Sequence, residues 1–172
     1  TPISGKEPEF FVKTADCVVG PEEPIAFDER FSKKIDCEAE LAIVIGKPGR
    51  QALEEVLPTL RIEREIDFVT ANGENLAGGI GLTPSTADAL LAHGVDVITS
   101  GNHIWDKREI YPYLDSSERV LRPLNYGTHD VPGRGWGLFH ALDGTELCVV
   151  NLQGRTYMQS IENPFTEADR LL

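Results

Sequence analysis

The chain has three cysteines among 172 residues, and they are far apart: Cys17, Cys37 and Cys148. No Cys-x-x-Cys pair and no Cys/His zinc spacing occurs, so neither a disulfide framework nor a structural zinc site is expected. The expectation is three reduced, mostly buried thiols in a cytoplasmic protein. Positive charge is scarce as well. Lys and Arg number 16 against 28 Asp and Glu, a net charge of −12. A long nucleic-acid backbone is excluded as a partner, because phosphate contacts need clustered cations. A small phosphorylated ligand is not excluded, since its site is local. No apolar run reaches membrane-spanning length, and neither an internal repeat nor a low-complexity segment occurs. The chain opens on Thr1 rather than Met, which fits a cut product or an internal fragment.

What is present is an ordinary globular composition, 41% hydrophobic and 26% charged, of a size for one domain or one and a fraction. Residues 1–36 are rich in Pro, Gly and acids. Phe10–Val12, Cys17–Val19 and Ile25–Phe27 read as short strands between turns. EAELAIVIG at 38–46 reads as a strand whose second half is buried on both faces. From Lys47 the pattern changes. Ala52, Leu53, Val56, Leu57 and Leu60 fall at helical spacing, with Pro58 expected to kink or shorten that helix. Ile66–Ala71 reads as a second buried strand. Thr83 and Pro84 mark the start of a helix that Gly94 ends. Val95–Ser100 is a third strand, followed by a helix near Lys107–Leu114, a strand at Glu146–Leu152 and a last helix beginning near Pro164. Strands alternating with helices predict an α/β fold. The polar loops at 72–81 and 101–106 both leave the carboxyl ends of strands, where such folds gather ligands, and should be neighbours if their strands are.

Those two loops carry the chemistry. Gly-Glu-Asn at 73–75 offers a carboxylate, Glu74, able to bridge two cations, and an amide oxygen on Asn75. Gly-Asn-His at 101–103 adds the Asn102 amide and the His103 imidazole. Amide and carboxylate oxygens suit hard or borderline divalent metals, and imidazole can ligate a metal or move a proton. Either loop alone is more often a plain turn; two on consecutive βα units point to a metal site. Asp106 is placed either to orient His103 or to cap the helix that follows. Trp105 is placed either to wall the site or to fill the core. His93 reads as a helix C-terminal residue, His129 and His140 as surface residues, and Arg134 and Arg155 as loop arginines able to meet an anion.

The blocks KPGRQALEEVLPTL, DFVTANGENLAGGIGLTP, GVDVITSGNHIWDKREI, LRPLNY, PGRGWG and VVNLQGRTYMQSIENPF resemble successive segments of the YmdB-like metallophosphoesterases of the calcineurin-like superfamily, over about residues 46–172. The resemblance implies a partial calcineurin-like sandwich and a dinuclear centre of Fe, Mn or Mg. It implies a phosphodiester substrate such as a 2′,3′-cyclic nucleotide. In that reading Glu74 is the bridging carboxylate, Asn102 a metal ligand, Asn75 a further ligand or phosphate contact, and His103 the catalytic proton donor. Ile43 stands where the family carries a metal-binding Asp, and its Asp-Phe-His and Gly-Thr-His-Thr-His blocks would fall past Leu172. The expectation is therefore an incomplete centre with weak or no turnover.

Residues 8–47, PEFFVKTADCVVGPEEPI through KIDCEAELAIVIGK, resemble instead the fumarylacetoacetate hydrolase family, which implies a Mg²⁺- or Mn²⁺-dependent C–C hydrolase with Glu38 and Glu40 among its metal ligands. Positions i and i+2 of a strand point the same way, so both carboxylates can face one cation; an edge pair facing solvent is the plainer account. The expected organisation is a β-rich segment at 1–45 joined, as a chimera, to an incomplete metallophosphoesterase domain at 46–172. A non-enzymatic α/β fragment, homo-oligomeric through unpaired strand edges, is the third reading.

Overall fold

The computed structural model describes residues 47–127, 131–155 and 158–171. The strand expected at 38–46, with Glu38, Glu40 and Ile43, lies outside the described residues, as do Cys17, Cys37 and His129.

Helix α1 (Lys47–Glu63) turns Leu53 and Leu57 into the core. The apolar stripe is narrower than its spacing suggests, because Ala52 and Val56 are exposed. Pro58 sits within α1 and does not shorten it. The helix stops where Glu65 takes a left-handed backbone (φ 52°) and the Ile66 N–H donates to the Arg61 carbonyl at 3.0 Å, a wrap-back typical of helix ends.

Strand β1 (Thr70–Asn72) is shorter than the expected Ile66–Ala71 and is not buried as expected: Thr70 and Asn72 are exposed and Ala71 is half-buried. The residue before it explains its length. Val69 N–H donates to the Asp96 side chain at 2.7 Å, so that N–H is lost to the ladder, while the Val69 carbonyl accepts from the backbone N–H groups of Asp96 and Val97. Helix α2 (Pro84–Ala92) begins where expected. Thr83 caps it, accepting from the Thr86 N–H while the Thr86 hydroxyl accepts from the Thr83 N–H. Gly94 then turns the chain at φ 99°.

Strand β2 (Val97–Thr99) pairs in parallel with β1, Ala71 opposite Ile98. A 3₁₀ turn, Asn102–Trp105, follows β2; the helix expected near 107–114 opens as a second 3₁₀ turn, Arg108–Ile110, and becomes α-helical only as α3 (Tyr111–Ser116). Pro112 is the reason. It has no N–H to give a preceding turn and is accommodated only in a first turn, so the α-helix starts beside it. Strand β3 (Val120–Leu121), not anticipated from the sequence, extends the sheet in the order β1-β2-β3.

A second sheet follows. Strand β4 (Trp136–His140), also not anticipated, pairs antiparallel with β5 (Glu146–Val150), Leu138 opposite Cys148. Asn151 joins the two sheets. Its N–H donates to the Gly135 carbonyl, its carbonyl accepts from the Leu124 N–H, and its buried Nδ2 donates to the Ser100 and Leu121 carbonyls at 2.8 and 2.9 Å. Helix α4 (Pro164–Leu171) is the last element. Leu53, Leu76, Leu82, Leu90, Ile98, Ile104 and Leu114 meet in one core beneath the carboxyl ends of β1 and β2.

Candidate functional site

Because β1 and β2 are adjacent, the loops that leave them are too. Gly73 N–H still donates to the Thr99 carbonyl at 2.8 Å, so the ladder carries the first loop to the start of the second. Glu74 reaches across, and its Oε1 accepts from the His103 N–H at 3.3 Å. In this position the carboxylate occupies the space a Cβ on residue 101 would take. A Cβ there would lie 2.3–2.5 Å from the Glu74 carboxylate, inside van der Waals contact. At the far end of the first loop, Gly81 (φ 77°) brings its Cα against the His103 carbonyl, where a Cβ would lie 3.1 Å away. Both glycines serve close approach of the two loops.

His103 Nδ1 donates to Asp106 Oδ2 at 2.8 Å. Of the two roles open to Asp106, the structure selects the orienting one for its side chain; Lys107 is the cap of the following 3₁₀ turn. With Nδ1 engaged, Nε2 is the ring atom left for a ligand or a leaving group. Asn102, His103 and Asp106 line an open cleft of about 470 Å³ whose lining also includes Met158 and Gln159. Asn75 is exposed on the first loop, and neither it nor Glu74 lines that cleft. The structure thus sets the Glu74 carboxylate on the backbone N–H of His103 and puts Asn102 and His103 in the cleft lining, with Glu74 and Asn75 outside it.

Trp105 does not line the cleft; it packs on Tyr126 with ring centroids 4.7 Å apart and against the core, so of the two roles open to it the structure shows the core one. The Tyr126 hydroxyl receives Nε2 of Gln153 at 3.0 Å and Nε2 of Gln159 at 3.2 Å. The loop that presents Tyr126 is built around buried Arg122, whose guanidinium donates to the carbonyls of Pro123, Leu124, Gly127 and Gly133. Burial lowers the Arg122 pKa from its ordinary value. Asn125 ties the same loop to the carbonyls of Gln153 and Glu162. Met158, Gln159 and Tyr126 had no role in the sequence reading. They arrive from separate segments, and no local spacing marks them.

The remaining candidates are engaged within the protein. His93 ends α2 as expected, with Nδ1 against the Ala89 carbonyl at 2.6 Å and Nε2 3.3 Å from Glu54. His140 is on the surface, 3.7 Å from Glu146. Arg134 pairs with Glu118, and Arg155 donates to the Ile161 carbonyl.

The donor chemistry suits a divalent cation only in part. Glu74 and the Asn102 amide are oxygen donors of the type such a cation takes, and the Nε2 of His103 is open either to a ligand or to proton transfer. Among the described residues, however, no three His, Cys, Asp or Glu side chains form a group that could hold a metal ion. These residues make part of a donor set and do not by themselves complete a dinuclear centre.

The YmdB-like protein family matches residues 41–172. The chain belongs to it. The YmdB-like part is similar to a 2′,3′-cyclic-nucleotide 2′-phosphodiesterase of Bacillus subtilis (strain 168), 42% identical over 129 residues, covering 75% of this chain and 48% of that protein. Two solved structures share the fold. A hypothetical protein from Thermus thermophilus superposes with a TM-score of 0.68 at 40% identity, over 76% of this chain and 50% of that one. A novel phosphatase from Mycoplasma pneumoniae superposes with a TM-score of 0.67 at 29% identity, over 76% and 48%. The YmdB-like fold is therefore the α/β metallophosphoesterase fold expected from the sequence, and the chain spans about half the length of the relatives it matches. The C-terminal region of the fumarylacetoacetate hydrolase family matches residues 2–59, so both resemblances read from the sequence hold, and the two matches overlap over 41–59. No described helix is long and apolar enough to cross a membrane.

Proposed function

We propose that the YmdB-like part of this chain carries the proton-donor loop and part of the metal-binding set of a phosphodiester hydrolase, acting on a small substrate of the 2′,3′-cyclic-nucleotide type. The observation that carries this is the approach of the two loops, Glu74 Oε1 to the His103 N–H, with Nδ1 of the same histidine on Asp106. In this reading His103 acts in its imidazolium form: Asp106 holds the Nδ1–H, and the Nε2–H proton passes to the leaving oxygen, leaving the neutral Nδ1–H ring. Glu74 and Asn102, with Asn75 as a further donor, hold divalent Fe, Mn or Mg, which when bound neutralises phosphate charge and acidifies a water. A set this small binds metal weakly, so turnover by the chain alone is low or nil. The cytoplasmic setting rests on cysteine usage, with Cys148 a free thiol, and homo-oligomerisation rests on sheets that are short among the described residues.

The organisation proposed is a hydrolase-like segment at 1–45 followed by the phosphoesterase domain at 46–172, a chimera supported by the two matches that overlap over 41–59. The match at 2–59 also supports a second reading, in which Glu38 and Glu40 hold Mg²⁺ or Mn²⁺ for C–C hydrolysis. One experiment separates the two. Mn²⁺ stoichiometry is measured on the purified chain, on Glu74→Ala and on Glu38→Ala. Loss only in Glu74→Ala supports the phosphoesterase reading. Loss only in Glu38→Ala supports the other. Metal-free wild type after exposure to Mn²⁺ and Fe²⁺ removes both.

A further inference from the structure

Two residues that line the cleft with Asn102, His103 and Asp106 come from a separate segment and carry a different chemistry. They are a thioether, Met158, which is 38% exposed, and a primary carboxamide, Gln159. An unbranched polarisable side chain left in solvent at a cleft rim suits a flat aromatic face. A carboxamide offers a donor beside an acceptor, the pattern that reads the edge of a nucleobase.

Gln159 does not hang freely. Its Nε2 meets the Tyr126 hydroxyl at 3.2 Å, and that hydroxyl is also met by Gln153 at 3.0 Å. The Tyr126 ring is braced by Trp105, two residues beyond His103. The hydroxyl has one proton to give, and the buried atoms Gln153 Oε1 and Trp105 Nε1 have no hydrogen-bond partner among the described residues. The inner layer is thus polar and incompletely saturated, and it reaches the cleft through the bond from Gln159 to Tyr126. Being exposed, the Gln159 amide can turn either face to the cleft while keeping Tyr126, so it can match either order of donor and acceptor.

The geometry points to a nucleobase subsite formed by Met158 and Gln159, with Tyr126 as the positioning residue that orients Gln159. This rests on the phosphodiesterase reading only in placing the phosphate on the His103 side; the base side is read from Met158, Gln159 and Tyr126. Because the amide turns, the subsite holds bases as a class, with little preference among them.

The test uses adenosine and uridine, nucleosides without phosphate, titrated into the full chain by calorimetry. Ribose 5-phosphate serves as a base-free probe. Gln159→Ala is a surface change, and its fold is checked by circular dichroism. The expected result is nucleoside binding about tenfold weaker in Gln159→Ala, severalfold weaker in Tyr126→Phe, weakened in Met158→Ala but kept in Met158→Leu, and unchanged ribose 5-phosphate binding throughout. Equal nucleoside binding by wild type and Gln159→Ala, or none by wild type, overturns the subsite. Failure of the phosphodiesterase reading shows separately, as Mn²⁺ stoichiometry that Glu74→Ala leaves unchanged, with nucleoside binding intact.

Discussion

His103 Nδ1 lies 2.8 Å from Asp106 Oδ2, three residues on and just past the same 3₁₀ turn. A carboxylate accepts, so the neutral ring is held as the Nδ1–H tautomer with Nε2 bare. In Asp106→Ala that constraint is gone. Nitrogen-15 shifts of His103, recorded at a pH where the ring is neutral, are expected to report Nδ1–H in wild type and a mixture dominated by Nε2–H in the variant. The same tautomer in both proteins would remove Asp106 from this role.

Gly101 and Glu74 are in contact in a way that makes a double substitution informative. Gly101 has an extended backbone (φ −133°, ψ −152°) that alanine can adopt, so the cost of Gly101→Ala comes from its Cβ meeting the Glu74 carboxylate. Overpacking of this kind costs about 1–3 kcal/mol. Denaturant unfolding should show that loss in Gly101→Ala and recovery of most of it in Gly101→Ala/Glu74→Ala. Additive losses would mean that the glycine is required for its backbone.

Asn151 is buried and bonds the carbonyls that end β2 and β3. Asn151→Leu removes both donors and leaves the Ser100 carbonyl without this partner. A loss of about 2–3 kcal/mol is expected in urea unfolding, with the 101–106 amides exchanging faster by hydrogen–deuterium exchange than those of α2. Uniform exchange across both segments would show that Asn151 does not specifically hold the histidine loop.

Tyr113 gives a pH dependence with a definite sign. Burial, aided by its hydroxyl donating to Asp88 at 2.6 Å, pushes its pKa up to about 12 from 10.0. The folded state holds the proton more tightly than the unfolded one, so this stabilisation is complete below pH 10 and is lost as pH rises toward 12. Unfolding midpoints of wild type should fall faster than those of Tyr113→Phe across that window and run parallel below it. Parallel curves throughout would dismiss the effect.

Features that depend on neighbouring residues alone were legible in the sequence. Thr83-Pro84 and Gly94 bound α2 because capping and left-handed turns are local. Glu74, Asn102 and His103 stand out in the sequence because glycine-flanked polar groups after apolar runs mark strand-to-loop exits, and the loops that carry them do leave adjacent strands. Other features waited on long-range contacts. Strands β3 and β4 escaped notice because Val120–Leu121 is too short to show a period and Trp136–His140 has meaning only against β5. Asp106 had two plausible roles until the 3₁₀ turn placed its carboxylate on His103. Met158, Gln159 and Tyr126 gather at the cleft with the help of hydrogen bonds that span 27 and 33 residues, and such contacts exist only once the core beneath β1 and β2 has formed.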